Sequence, residues 1–446
     1  MNVLLIAIDT LRADHLGCYG YDLPTSPQID RIAAKGVLFE EFIAPHIPTH
    51  PGFTTIMTGK DVFDHQIVTQ GGAKNLSEQI RTLPEILHEH GYFTAAADNM
   101  GRWFERGYDL YKRYRWGRKT TNPWRKGEAV NRAALKVLEA CDSQDKPWFA
   151  FLHYWDPHTP YLPPRPFDRM FYHGDEKDPS KDSAYEMMNN YPAFQYYFAE
   201  WMPGTTDVEF PKAQYDAEIA YCDACLAHIF TCLKQMRGAE DTLIIITSDH
   251  GEELDEHEMW FDHHGLYETN MAVPLVLYHP ECFSGGKRIG GLTVHQDIAP
   301  TILEAAGLAQ AGADNQLAGQ NLLGLIESGS QAGSRQSVYI SECAWMKKRG
   351  LRTTQYKFFE SLYDELHRRP PFELYDLQAD PGEQYNLAAD NPELLASLRD
   401  QLAAVIATRQ SETGGSDPVL EQNITMTQIG HVDVAVPDDQ ILEKAD

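Results

Sequence analysis

The run Leu243-Ile244-Ile245-Ile246 constrains this chain more than any other stretch, because it is apolar throughout, mostly β-branched, and ends in the polar turn Ser248-Asp249-His250-Gly251. A short apolar run without alternation reads as a strand buried on both faces, the situation of a parallel sheet covered by helices. Asp249 and His250 then stand at the carboxyl end of a central strand, the edge at which open α/β sheets gather ligands. A carboxylate beside an imidazole suits a divalent metal ion.

The N-terminus repeats the arrangement, with Val3-Leu4-Leu5-Ile6-Ala7-Ile8 delivering Asp9. Two such strands side by side would aim Asp9 and the Asp249-His250 pair at one point. A third element, Thr49-His50-Pro51-Gly52, places a hydroxyl before a Pro-Gly pair and a short helical run that closes at Thr58-Gly59. A nucleophile presented at a helix N-terminus meets N–H groups that favour a developing anion.

On these residues the chain resembles the sulfatase branch of the alkaline phosphatase superfamily. In that branch the nucleophile lies ten positions before the Gly of a Thr-Gly pair, and counting back from Gly59 lands on Thr49. Further matches are Ser248-Asp249-His250-Gly251-Glu252, the run from Tyr267-Glu268 to Val273-Pro274-Leu275, His295-Gln296-Asp297-Ile298-Ala299-Pro300-Thr301, Glu373-Leu374-Tyr375-Asp376-Leu377 and Asp380-Pro381-Gly382-Glu383. The resemblance implies an α/β fold with a mixed, largely parallel central sheet flanked by helices, plus a small C-terminal α+β domain built on an antiparallel sheet.

The chain also departs from that pattern. Sulfatases oxidise a Cys or Ser to formylglycine, and a threonine cannot give the aldehyde. The Arg of the family pattern is Phe53 here, the Lys after the Asp-His pair falls at about Asp262, and the usual Lys-any-His is replaced around Asp98-Asn99-Met100. The lost positive charges call for another cation, and a second metal ion is the obvious supplier, since two ions about 4 Å apart clamp attacking and leaving oxygens alike. This looks like the two-metal phosphodiesterase and nucleotide pyrophosphatase relatives, which use a threonine. That resemblance puts Asp9, Thr49, Asp249 and His250 around one ion and draws the ligands of a second from Asp156, His158, His263 and His264. Thr49, His158 and His264 are the catalytic candidates, with His263 or His264 alternatively donating to the leaving group. Manganese, zinc and iron all suit such donors.

The expectation is therefore a metal-dependent hydrolase of phosphodiesters or phosphonate monoesters, working through a phospho-threonine; a diester carries a single negative charge, which suits a pocket with few cations. Two other readings stand beside it: a sulfuric ester hydrolase that works without formylglycine, and a non-catalytic binding protein on the same scaffold. Retention of Asp9, Asp249 and His250 argues against the last.

Bulk properties agree with a small-molecule ester substrate. The net charge is −27 over 446 residues, which argues against binding polymeric nucleic acid or an acidic membrane surface. No apolar run approaches the length of a membrane span, and Met1 leads straight into the first strand, so the expected location is cytoplasmic. The seven cysteines do not look like a disulfide framework. Cys222, Cys225 and Cys232 fall in a helical run from about Tyr215 to Lys234.

Helices are expected over Thr82 to Gly91, from Lys126 to Ala140 and from Asp297 to Ala306, with strands at Tyr92 to Ala97 and Trp148 to His153. The catalytic domain is expected over 1–335, including an aromatic and proline-rich insertion at 163–211 that would wall the substrate pocket or contact a second subunit. Short strands from 336 onward and a helix from Pro392 to Arg409 give the small domain, to about 410. The remaining tail, 411–446, is a candidate for wrapping a neighbouring copy in a homo-oligomer.

Overall fold

The computed structural model describes residues 1–117, 124–185, 200–283, 285–329, 335–363 and 367–426, with the backbone of 428–429 and 432–433. The aromatic residues Tyr191, Phe194, Tyr196, Tyr197 and Phe198 of the insertion, and most of the C-terminal tail, lie outside the described residues.

The main sheet has eight strands: β1 (Asn2–Ile8), β2 (Val37–Ile43), β4 (Phe93–Ala97), β5 (Leu110–Lys112), β6 (Trp148–Tyr154), β7 (Thr242–Thr247), β8 (Leu275–Tyr278) and β9 (Lys287–Val294). Their order is β5-β4-β6-β1-β7-β8-β2-β9. Strands β5, β4, β6, β1 and β7 run parallel to one another, whereas β8 is antiparallel to both its neighbours. The sheet is thus mixed but mostly parallel. β1 and β7 sit at its centre, pair in register from Asn2↔Thr242 to Ala7↔Thr247 and are buried along their length, as their unbroken apolar runs require.

Among the helices of the described residues, seven frame the two sheets: α1 (Pro27–Ala33), α2 (Thr49–Thr58), α3 (Leu83–Glu89), α4 (Lys126–Asp142), α5 (Glu209–Leu233), α6 (Ile298–Ala305) and α7 (Pro392–Thr413). α1, α4 and α5 pack together against the sheet, and α3 and α6 pack around α2. α3 starts where its sequence says it should, with Pro84 in the first turn and the Thr82 amide donating to Glu85 Oε2 at 2.8 Å. None of the described helices is long and apolar enough to cross a membrane.

A second sheet has the order β13-β12-β11-β10-β3, formed by β10 (Ser337–Cys343), β11 (Lys347–Thr353), β12 (Tyr356–Ser361), β13 (Phe372–Asp376) and the two-residue β3 (His46–Ile47). It is antiparallel except where β3 joins β10 in parallel. α7 covers it with Leu398, Leu402 and Ile406, one face of the helix at four-residue spacing, and these pack with Leu351, Phe358 and Leu374 into a second, smaller core. The sheet from the C-terminal third therefore borrows the strand that leads directly into Thr49. That loan makes the small sheet a buttress for the start of α2, and no inspection of 336–410 alone would show it.

Candidate active site

Parallel pairing of β1 with β7 delivers Asp9 and Asp249-His250 to one sheet edge, and the start of α2 closes over them. His250 Nε2 lies 3.2 Å from Thr49 Oγ1, 3.3 Å from Asp249 Oδ2 and 3.9 Å from Asp9 Oδ1. All four residues are buried. The other ring nitrogen, Nδ1, meets the Gly251 carbonyl at 2.9 Å. A carbonyl only accepts, so Nδ1 carries the proton and Nε2 turns its lone pair towards Thr49 and the carboxylates. Burial holds the His250 ring down at about 3, neutral and able to ligate.

The carboxylates are organised for a cation. Asp9 Oδ2 meets His153 Nε2 at 3.2 Å, and the opposite ring nitrogen of His153 meets Asp98 Oδ1 at 2.7 Å. His153 thus orients Asp9 from behind, as carboxylates orient metal-binding groups elsewhere. Burial alone would lower the His153 ring, but these two carboxylates outweigh it and hold it at about 10. Burial pushes Asp9 up as well, and the hydrogen bond to His153 together with the neighbouring His158 and His250 rings more than reverses this. Asp249 stays well above the usual carboxylate range because of burial and then the Asp9 charge.

Asp9 Oδ1 and Asp249 Oδ2 are buried without a hydrogen bond. Orphaned oxygens of this kind are costly unless something positive meets them. Two ligands about 2.1 Å from one ion stand roughly 3.4 Å apart at a tetrahedral angle, close to the spacings around His250 Nε2. Asp9, Asp249 and His250 therefore fit a divalent ion, with Thr49 Oγ1 adjoining.

Two backbone features make the approach feasible. Gly52, in the first turn of α2, lies so close to the Asp249 loop that a Cβ there would stand 2.8 Å from the Asp249 carbonyl oxygen. Gly52→Ala must push the turn bearing Thr49 away from Asp249. Turnover is expected to fall roughly 100-fold with little change in KM, since misplacement near 1 Å costs that much; steady-state kinetics would check it. Thr10, directly after Asp9, has φ +57°, a strained setting for a β-branched residue. Tyr215 of α5 holds it, donating to the Thr10 carbonyl at 2.7 Å and accepting from the Arg12 amide at 3.1 Å.

Arg12 also stiffens the loop beyond β7: Nη1 donates to the Glu252 carbonyl at 3.1 Å and to Glu256 Oε1 at 2.8 Å. Burial raises the Glu256 carboxyl, but Arg12 outweighs it and leaves it at about 2, below its ordinary 4.5. A depressed acid contributes stability above pH 4.5 that is lost as pH falls towards 2. The shift corresponds to about 3 kcal/mol at most. Glu256→Gln is expected to flatten the acid limb of a stability–pH curve over that window, measured by urea unfolding.

A second group adjoins the first. Glu252, Asp262 and His263 are buried together, with His263 Nδ1 at 3.3 Å from Asp262 Oδ1 and 3.6 Å from Glu252 Oε1. The His263 ring is 4.6 Å from the His250 ring and 4.9 Å from that of His158, centroid to centroid. Burial drives the Glu252 carboxyl up to about 7.

The expected site residues fall into three sets. Asp9, Thr49, Asp249 and His250 come together, and His158 and His263 join them through ring contacts. Asp156 and His264 are engaged elsewhere. Asp156 is ion-paired with the buried Lys126 at 3.3 Å, and His264 Nε2 lies 2.6 Å from His367 Nε2. His50, in the first turn of α2, turns away from the cluster, with Nδ1 accepting from the Gly71 amide at 3.1 Å and its ring against Trp103 and Phe104. Sequence reading assigned no role to His153, Lys126 or Glu252. His153 was within reach, since β6 neighbours β1 and ends at the same edge. Lys126, whose Nζ donates to the His158 carbonyl at 2.6 Å and so holds the 156–158 loop, had no such sign.

Fold and site together define a mixed α/β hydrolase with a metal-binding edge. The sulfatase family model matches residues 1–308, so the chain belongs to the sulfatase family and is an ester hydrolase of a metal-dependent kind. A second model, the C-terminal region of N-sulphoglucosamine sulphohydrolase, matches residues 255–410. The chain is 23% identical to the N-acetylglucosamine-6-O-sulfatase of Bacteroides thetaiotaomicron, across 94% of this chain and 87% of that protein. Its fold matches a 2-O GAG sulfatase with a TM-score of 0.73 at 19% identity, covering 95% of this chain and 96% of that one. It also matches the phosphonate monoester hydrolase of Agrobacterium radiobacter, TM-score 0.71 at 22% identity over 92% of this chain and 96% of that one, a likeness of fold.

These relatives overturn the expected preference for phosphodiesters or phosphonate monoesters, because the family and the sequence relative point to sulfuric esters. The reason is physical. The charge argument preferred a singly charged diester to a doubly charged monoester, but a sulfate monoester also carries one negative charge. A pocket poor in cations does not distinguish the two.

Proposed function

We propose that this protein hydrolyses sulfate monoesters, with sulfated amino sugars as the substrate class, using the hydroxyl of Thr49 as nucleophile. The observation that carries the reading is the sulfatase match over 1–308 together with the buried Asp9, Asp249 and His250 cluster against Thr49. The sulfated sugar is suggested by the N-acetylglucosamine-6-O-sulfatase relative and by the C-terminal match.

A divalent ion held by Asp9, Asp249 and His250, of the manganese, zinc or iron type that carboxylate and imidazole accept, would polarise the sulfuryl oxygens and acidify the Thr49 hydroxyl. The chain's own residues do the rest. Thr49 Oγ attacks sulfur at the N-terminus of α2 and its proton passes to the alcohol oxygen as the bond from sulfur to that oxygen breaks; water then attacks the sulfuryl group, freeing sulfate and returning a proton to Thr49 Oγ. His158 spends Nδ1 on the Thr159 carbonyl at 2.8 Å and is held neutral, at about 4, chiefly by burial. Its Nε2 lone pair is assigned to take a proton from the attacking water. Asp98 and His153 keep Asp9 in place throughout.

The test is a direct comparison of kcat/KM on para-nitrophenyl sulfate, a sulfated N-acetylglucosamine and an aryl phosphodiester, in protein loaded with Mn2+ or Zn2+. Sulfate release should dominate. Faster turnover of the phosphodiester than of either sulfate would overturn the reading.

A further inference from the structure

Beyond the sulfate-ester reading, and independently of which ester turns over, we infer that Glu252, Asp262 and His263 form a second divalent-cation site that shares a wall with the first. The three offer ligand atoms that all lie within 4.8 Å of one another and are fully enclosed. Their chemistry is the same as that of the first cluster: two carboxylates and one imidazole, whose two negative charges one divalent ion neutralises.

The orphaned atoms argue that the group awaits a ligand. Both carboxylate oxygens of Glu252, Asp262 Oδ2 and His263 Nδ1 are buried with no hydrogen bond. An imidazolium ring at His263 would pair with both carboxylates, but only at 3.3 Å and 3.6 Å, beyond ordinary charge-assisted hydrogen-bond length, and its single Nδ1 proton could not satisfy all the oxygens left without a hydrogen bond. Asp262 Oδ1 instead accepts from the His263 backbone amide at 2.8 Å, which turns the carboxylate towards the ring and locks the pair. Separations of 3.3–3.6 Å are what two donors about 2.1 Å from a common ion adopt at near-tetrahedral angles.

Position gives the site a role. The His263 ring contacts those of both His250 and His158, so the group that includes it adjoins the first cluster. Phe53, Asp98 and Asp262 occupy the places where the sequence pattern led one to look for cations, and a second ion restores positive charge on that face of the pocket. Asp156 has no part in it, since Lys126 holds it, whereas His264 turns Nε2 to His367 and keeps Nδ1 at 3.9 Å from Asp262 Oδ1.

Metal content decides the matter. Full-length protein stripped of metal and reloaded with Mn2+ should bind two ions per chain by elemental analysis, and their electron paramagnetic resonance should show coupling between neighbours. Glu252→Gln and His263→Gln, each checked for native near-ultraviolet circular dichroism, should each drop to one ion and lose the coupling. Asp249→Asn should also drop to one. A wild type that binds a single ion, with Glu252→Gln and His263→Gln still binding one, would overturn the inference, as would two ions with no coupling. If one of the two variants misfolds, the other decides on the same count.

Discussion

Asp249→Asn is expected to raise the melting temperature of the metal-free protein and to lose the share of the further rise that an ion held by Asp9, Asp249 and His250 gives the wild type. Asp249 is buried, its Oδ2 has no hydrogen bond, and the Asp9 charge faces it. Burial and that charge raise its carboxyl well above 3.8. A raised acid gives stability below its ordinary value that is lost as pH rises towards the folded one, so metal-free wild type weakens upward from about pH 4. Asparagine keeps the shape and the bond that Oδ1 accepts from the Thr10 amide at 3.4 Å, but has no charge to bury. The variant's advantage should therefore grow as pH rises from about 4 towards neutrality. With metal the order reverses. An ion at a hundredfold excess over its Kd adds about 2.7 kcal/mol to a chain that binds it, and the variant has lost a charged ligand. Melting curves with and without Mn2+, at pH 5 and pH 8, would show the crossing. A metal-free wild type as stable as the variant at both pH values would mean that Asp249 carries no buried burden.

Thr49→Ala should cost the largest share of activity, about 10³-fold or more in kcat, with sulfate-ester binding little changed. Thr49→Ser should stay within about tenfold of wild type, because the hydroxyl and its neighbour His250 Nε2 at 3.2 Å remain. The pair separates a nucleophile from a wall residue: a packing role would be rescued by valine, which matches threonine in shape, and a chemical role would not. Mass spectrometry of wild type quenched during turnover should show a sulfuryl adduct on the peptide carrying Thr49 and none in Thr49→Ala. An alanine variant with normal kcat would remove Thr49 from the reaction and leave it as a neighbour of the ion.

The two halves of the fold were not equally open to inspection. The apolar runs at 3–8 and 243–246 had no polar face to give to solvent, so burial in a parallel sheet was forced, and with it the placing of Asp9 and Asp249-His250 at one edge. The resemblance to sulfatases supplied Thr49 as the nucleophile to test and the fold class, and the fold class and the family are as expected. The substrate was misjudged for want of a discriminating charge, since sulfate monoesters and phosphodiesters are both monoanions.

The sequence alone thus determined the strands, their buried faces and the central ligand edge, because period and apolarity leave a chain no other way to shed its surface. Only the tertiary structure decided which of the many Asp, Glu and His residues meet. It sent Asp156 to Lys126 and His264 to His367, brought Glu252 to Asp262 and His263, and set His153 between Asp9 and Asp98. It also joined β3, just before Thr49, to a strand nearly three hundred residues on, pairing His46 with Ser341. Side-chain partnerships of this kind depend on strand order and loop path, which local pattern does not encode. A buried charge must find a partner, and only the assembled chain shows which partner is within reach.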